Sequence, residues 1–251
     1  MNEMREIITS PKNPKVLLWR SLKDAKGRRE TGCFLVEGAK AVEEALTSGF
    51  ACEALLVQSG VDVPLSADVR VTEVSHRVME AVCDTRTPQG VAAVMRIRHE
   101  AVTGRRLIAL DGVQDPGNVG TIWRTADAAG FSAILFGGGC ADPLSPKVQR
   151  AAMGSGFRVP YMLAEDLPAA LMGLKARGWT VLASDLKGAD FYRRPDPGAR
   201  FVLVIGNEAR GISDATREAA SALVKLPMRG GAESLNAAVA AGIMMYELMR
   251  E

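Results

Sequence analysis

From residue 107 onward, short runs of apolar residues alternate with helical patterns. The runs are residues 107–110, 133–136, 180–183, 201–205 and 222–226, and the helical patterns between and after them are 119–129, 147–153, 167–177, 214–220 and 235–250. Strands that alternate with helices in this way build a mostly parallel sheet covered by helices on both faces, an α/β fold. Ligands of such sheets collect at the carboxyl ends of the strands, so the segments that follow the apolar runs hold the candidate chemistry.

The first hundred residues form a smaller α/β pattern. Residues 34–36 and 55–57 are strand candidates, 39–48 a helix closed by Gly49, 74–82 a further helix, and 91–96 a last strand. A polar stretch, HEAVTGRR at residues 99–106, separates this pattern from the stronger one. Two domains are expected, residues 1–101 and 102–251.

The 251 residues suffice for two cores, and 47% hydrophobic with 24% charged residues excludes a disordered or fibrous chain. The most apolar segment, residues 235–246, is too short for a membrane span, and the N-terminus lacks a secretory pattern, so a cytoplasmic protein is expected. Cys33, Cys52, Cys83 and Cys140 are widely spaced, and His76 and His99 stand alone, so no metal site or disulfide framework is expected. Between Ser10 and Arg29 seven cations (Lys12, Lys15, Arg20, Lys23, Lys26, Arg28 and Arg29) face one acid, Asp24. Such a block tracks a phosphate backbone or forms a solvated helix face.

Three segments carry the candidate site. In LDGVQDPGNVGTIWRTADAAG, residues 110–130, a strand turns at Pro116-Gly117 into a helix with Asn118 as its candidate N-cap. Val119, Ile122, Ala126 and Ala129 share one helical stripe, and Arg124 points away from it, toward solvent or a ligand. In FVLVIGNEARGIS, residues 201–213, a buried-type strand runs into Gly206, which permits a sharp turn and the close approach of a ligand. Glu208 then stands at the strand's carboxyl edge, or simply near the start of the next helix. In VKLPMRGGAESLNAAVAAGIMMYELMR, residues 224–250, a helix begins near Ser234, with Ser234 and Asn236 in its first turn as site residues or caps. That helix is apolar nearly all round, which predicts a homodimer or a central core helix. A fourth segment, GGGCADPLSPKVQRAAMGSG at residues 137–156, matches neither dinucleotide nor P-loop spacing and leaves Lys147 and Arg150 as RNA-contact candidates.

In this order, DPGNVGTIWRTADAAG, VLVIGNEARGIS and LPMRGGAESLN resemble the SpoU (TrmH-type) family of RNA ribose 2′-O-methyltransferases over roughly residues 105–250. ITSPKNPKV and FLVEGAKAVEEAL resemble the L30e-like substrate-binding domain that many members carry. The resemblance implies a carboxyl-terminal trefoil knot, a dimer and S-adenosylmethionine bound at Gly206, Leu226, Pro227, Met228 and Leu235. It implies active-site roles for Asn118, Arg124, Glu208, Ser234 and Asn236, with no metal. The RNA contacts expected beside them are Lys12, Lys15, Arg20, Lys23, Arg28, Arg29, Lys147 and Arg150. The expected substrate is ribosomal RNA rather than tRNA. A knotted base-nitrogen methyltransferase and a non-catalytic RNA-binding homologue are the alternatives. Ala237-Ala238 stand where members often have Val-Ser.

Overall fold

A computed structural model describes residues 7–63, 69–98 and 103–250. Its first helices and strands are α1 (Pro14–Ser21), α2 (Ala25–Thr31), β1 (Cys33–Glu37), α3 (Ala39–Thr47), β2 (Cys52–Gln58), β3 (Val71–Val74), α4 (His76–Val82) and β4 (Val91–Arg96). Beyond residue 103 follow β5 (Arg106–Asp111), α5 (Pro116–Ala128), β6 (Ala133–Phe136), α6 (Pro146–Ala152), β7 (Tyr161–Leu163), α7 (Leu167–Ala176), β8 (Thr180–Asp190), β9 (Phe201–Gly206), α8 (Asp214–Ala219), β10 (Ala222–Lys225) and α9 (Ala237–Leu248). They form two compact units, one of Met1–Arg98 with Asp142–Phe157, the other of His99–Ala141 with Arg158–Glu251. The expected boundary between residues 101 and 102, and His99, lie outside the described residues.

In the first unit the sheet order is β1-β4-β2-β3, with β4 antiparallel to β1 and β2, and β3 parallel to β2. The sequence predicted one helix over 74–82, but the chain is extended through Val74 and turns helical at His76. Ser75 makes the switch, its side chain accepting from the Val78 N–H as an N-cap. Val16 and Trp19 of α1, with Leu22 at its C-cap, cover one sheet face, and Val42 and Ala45 of α3 cover the other. Phe157 joins this second core, stacked on Phe34 at 6.4 Å and edge-on to Phe50 at 5.4 Å. That burial draws α6 into the first unit, although its sequence lies beyond the expected boundary.

The second unit holds six parallel strands in the order β10-β8-β9-β5-β6-β7. All six residues of β9 and all four of β6 are buried, as continuous apolar runs require. β7, whose Met162 and Leu163 are exposed, is an edge strand that its sequence did not announce. On one face α7 and α8 cover Leu107, Val181, Val202 and Val204; on the other, α9 packs against β9 and α5. From β5 the chain steps to β6 on one side, and from β9 it passes to β10 on the other. The loops after these two adjacent strands therefore diverge and leave a crevice at their carboxyl ends.

Candidate active site at the ends of β5, β9 and β10

Gly112 leaves β5 at φ +72°, a left-handed turn that glycine accommodates without strain. The chain then enters α5 at Pro116. The sequence made Asn118 the N-cap, but the cap is Asp115, whose Oδ1 accepts from the Asn118 N–H at 2.7 Å. Proline at the first helical position was the signal, because its fixed φ suits that place and its missing N–H costs nothing there. Relieved of capping, the Asn118 side chain reaches sideways out of the first turn.

Gly206 ends β9, where an added Cβ would run into the backbone of Gly211 and Ile212. The close approach that glycine permits is thus made by the chain itself, whose 207–211 turn closes through reciprocal 2.9 Å bonds between the Asn207 and Gly211 backbones. Asn207 fastens this turn to the loop after β5. Its Nδ2 donates to the Gly112 carbonyl at 2.8 Å, while its Oδ1 accepts from the Ala209 and Arg210 N–H groups at 3.0 Å. Sequence reasoning passed over Asn207, since nothing local distinguishes an asparagine that pins two loops from an ordinary turn residue.

Beside it, the Glu208 carboxylate accepts from the Gln114 and Asp115 N–H groups, each at 3.3 Å, and from Asn118 Nδ2 at 2.9 Å. Helix α9 supplies the third partner. The sequence began this helix near Ser234, but it starts at Ala237 with Asn236 as N-cap, and Ser234 lies upstream in an exposed segment. Asn236 Oδ1 accepts from the Ala238 and Val239 N–H groups, so its Nδ2 faces Asn118 Oδ1, 2.9 Å away. This acceptance fixes the Asn118 amide in turn, oxygen toward Asn236 and nitrogen toward Glu208. One hydrogen-bond polarity therefore runs from the positive end of α9 to a carboxylate.

Burial alone would raise the Glu208 pKa, but the hydrogen bonds from Asn118 and from backbone N–H groups together hold it below the usual glutamate value. The carboxylate's contribution is therefore complete above the unfolded-state pKa and is lost only as pH falls through the lower folded value. Arg124 projects from the exposed side of α5, about 9 Å further along the axis than Asn118. The neighbouring Trp123 is fully buried against Phe136 and Tyr161 and donates to the Val159 carbonyl at 3.0 Å.

The model of the SpoU rRNA methylase family matches residues 105–246, which contain every one of these positions. The chain belongs to the SpoU rRNA methylase family. An MRM3-like substrate binding domain matches residues 13–93. The chain is 40% identical to the 23S rRNA (guanosine(2553)-2′-O)-methyltransferase RlmP of Bacillus subtilis, over 96% of this chain and 98% of that one. The AdoMet-bound rRNA methyltransferase of Sinorhizobium meliloti superposes with a TM-score of 0.86 at 34% identity, covering 97% of each chain. AviRb of Streptomyces viridochromogenes, also a SpoU methyltransferase and solved with AdoMet, gives 0.83 at 27% identity, over 94% of this chain and 98% of that one.

In this SpoU protein, residues 226–236 form neither helix nor strand and pass from the end of β10 to α9. Leu226 is buried, Pro227 and Met228 half-buried, and Leu235 exposed. These are the positions, with Gly206, that the sequence expected to contact S-adenosylmethionine, and the space beside the Gly206 Cα is taken by the backbone of Gly211 and Ile212.

The expected RNA contacts divide by burial. Lys12, Lys15, Arg20, Arg29 and Lys147 are exposed. Lys23 is half-buried, its Nζ donating to the Ala81 carbonyl in the last turn of α4 at 2.9 Å. Arg28 is corrected: it is 4% exposed, and its guanidinium donates to the Leu22 and Lys23 carbonyls and to Asp142, so it serves the fold instead of a phosphate. Arg150 donates to Asp84 Oδ2 at 2.8 Å and lies 3.6 Å from Glu37 Oε2.

Proposed function

We propose that this protein transfers a methyl group from S-adenosylmethionine to a ribose 2′-hydroxyl in ribosomal RNA. The observation that carries the reading is the Asn118–Glu208–Asn236 network, which joins loops after three strands inside the SpoU match. RlmP acts by name on guanosine 2553 of 23S rRNA, so 23S rRNA is the first substrate to test.

The cofactor supplies an electrophilic methyl on sulfur. The protein has to align the ribose oxygen with it and help that oxygen lose a proton. Asn118 and Asn236 each keep a second amide N–H beyond the bonds described, and these can hold ribose oxygens. Arg124 acts through its guanidinium cation. It binds the adjacent phosphate and stabilises the alkoxide as charge develops. Glu208, ionised and fixed by N–H donors, keeps the two amides oriented, and Ser234 contributes from the exposed segment that leads into α9.

The test is incubation with S-adenosylmethionine and unmodified 23S rRNA, followed by alkaline hydrolysis and mass analysis. An alkali-resistant methylated dinucleotide is expected, because 2′-O-methylation removes the nucleophile of base cleavage. Methyl found on a base alone, or cofactor binding without transfer to free or ribosomal RNA, would refute the assignment.

The exposed cations of the first unit form the phosphate track of this reading. Replacing Lys12, Lys15, Arg20 and Arg29 together by alanine should reduce the slope of log affinity against log salt by about 3, measured by RNA filter binding. An unchanged slope would remove these residues from the interface.

A homodimer is part of the same proposal. On α9, Val239, Ile243 and Tyr246 are 50%, 39% and 54% exposed and share one stripe beside α5. A second copy is the cover for this stripe. Light scattering should then give a dimer for the native chain and a monomer for Ile243→Glu; a native monomer would refute the interface.

No helix among the described residues is long and apolar enough to cross a membrane. A cytoplasmic enzyme, with access to ribosomes, is the location this reading implies.

A further inference from the structure

The first unit contains a cavity of about 410 Å³ between the end of β1, α3, the segment before β4, and α6. That volume lies in the range of small-molecule sites, and no residue of the network described above lines it. Ala41, Pro88 and Met153 give it apolar walls, Thr87 and Gln89 offer hydrogen-bonding groups of both kinds, and the exposed Lys40 also lines it.

Two observations mark this cavity as built for a ligand. Arg150 on its wall is held by Asp84 at 2.8 Å and pairs with Glu37, also on the wall, across 3.6 Å, so its buried Nη1 has a counter-charge but no hydrogen bond. A buried guanidinium N–H that has an ion pair but no hydrogen bond keeps its donor capacity for a ligand acceptor. Met153, at the end of α6, has φ +47°, the left-handed conformation that non-glycine residues seldom adopt, and its 49% exposed side chain lines the cavity. Strain of this kind persists where the surroundings impose it, often at ligand clamps. The cavity is a binding site and not a reactive one, because burial pushes the thiol of Cys83, also on its wall, up to about 12.

We propose that this cavity takes an unpaired nucleobase of the RNA substrate, a site distinct from the one that holds the methylated ribose. A base carbonyl or ring nitrogen accepts from Arg150 Nη1. The apolar walls, with the polarisable Met153 among them, pack on its faces, and Lys40 meets the attached phosphate. The inference rests on the RNA-methylating reading for the identity of the polymer, but not for the chemistry of the cavity. A free nucleotide would present the same groups as an RNA base, and the two sources need separate measurements.

The first measurement uses the full chain with ¹³C-labelled methionine methyls, the Met153 signal being assigned with Met153→Leu. Titration with each of the four ribonucleoside 5′-monophosphates should shift that signal for at least one base, and inorganic phosphate should not. Thr87→Trp, a change at an exposed wall position, should abolish the shift. In the second, Thr87→Trp should raise the KM for RNA at least tenfold while S-adenosylmethionine affinity stays within twofold. No shift with any mononucleotide up to millimolar concentration would overturn the proposal. A shift accompanied by an unchanged KM would assign the cavity to a free nucleotide and equally overturn it. Failure of the wild-type chain to methylate any RNA would instead count against the proposed function, with nucleotide binding still read independently by the methyl signal.

Discussion

Arg124→Ala should lower kcat for RNA methylation about 10³-fold and leave S-adenosylmethionine affinity within a few-fold. The expectation follows from what the side chain is given to do. Arg124 is exposed on α5 while its neighbours Trp123, Ile122 and Ala126 are buried, so its removal leaves the core unchanged. A cation that holds the adjacent phosphate of the RNA and stabilises the alkoxide as it develops acts on the RNA and on kcat rather than on cofactor binding, and loss of one such donor typically costs 10²–10³-fold. Arg124→Lys should recover only part of the rate, since lysine keeps the charge but lacks the planar fork that grips a phosphate. Single-turnover rates with calorimetric cofactor titration test this. Cofactor affinity falling in parallel with the rate would show that Arg124 serves the cofactor site instead.

The largest effect on stability is expected one residue earlier. Trp123→Ala should cost about 3–5 kcal/mol, as deletion of a fully buried indole does, and lower the unfolding midpoint by about 10 °C. Trp123 is 0% exposed, its ring centroid lies 5.6 Å from that of Phe136 and 5.4 Å from that of Tyr161, and the Val159 carbonyl would lose its donor. Trp123→Phe should recover most of the packing but not that hydrogen bond. Scanning calorimetry of both variants gives the values, and a loss under 1 kcal/mol for alanine would show that the site collapses around the gap. Trp123 and Arg124 leave the same turn of α5 about 100° apart, one buried in the core and the other exposed.

Much of this protein was legible before any tertiary contact was known. The runs 133–136 and 201–205 match β6 and β9 almost residue for residue, because strands buried on both faces must be apolar throughout. The three candidate segments were legible for a related reason, since each follows an apolar run that forms a strand, although β10 is only partly buried. The caps were read less well. Asn118 was taken for the residue that begins α5, and Ser234 for one inside α9, because asparagine and serine cap helices wherever they occur near a start. Only Pro116 discriminates for α5, and nothing comparable stands at Asn236. Two short strands escaped notice, since three or four residues such as 161–163 and 71–74 carry too little pattern.

The tertiary structure alone decided which distant residues meet. Asn118 lies 90 residues from Glu208 and 118 from Asn236, and the three come together because β9 pairs with β5 and α9 returns across α5. It also decided that Arg28, one cation in a basic run, is buried against Asp142, 114 residues away, while Arg20 and Arg29 stay in solvent. Local propensity and periodicity depend on neighbours a few residues apart, so the order of residues by itself determined the strands, the helices and the kinds of chemistry available. Which side chains share a hydrogen bond depends on strand order, a property of the whole chain that no window of sequence contains.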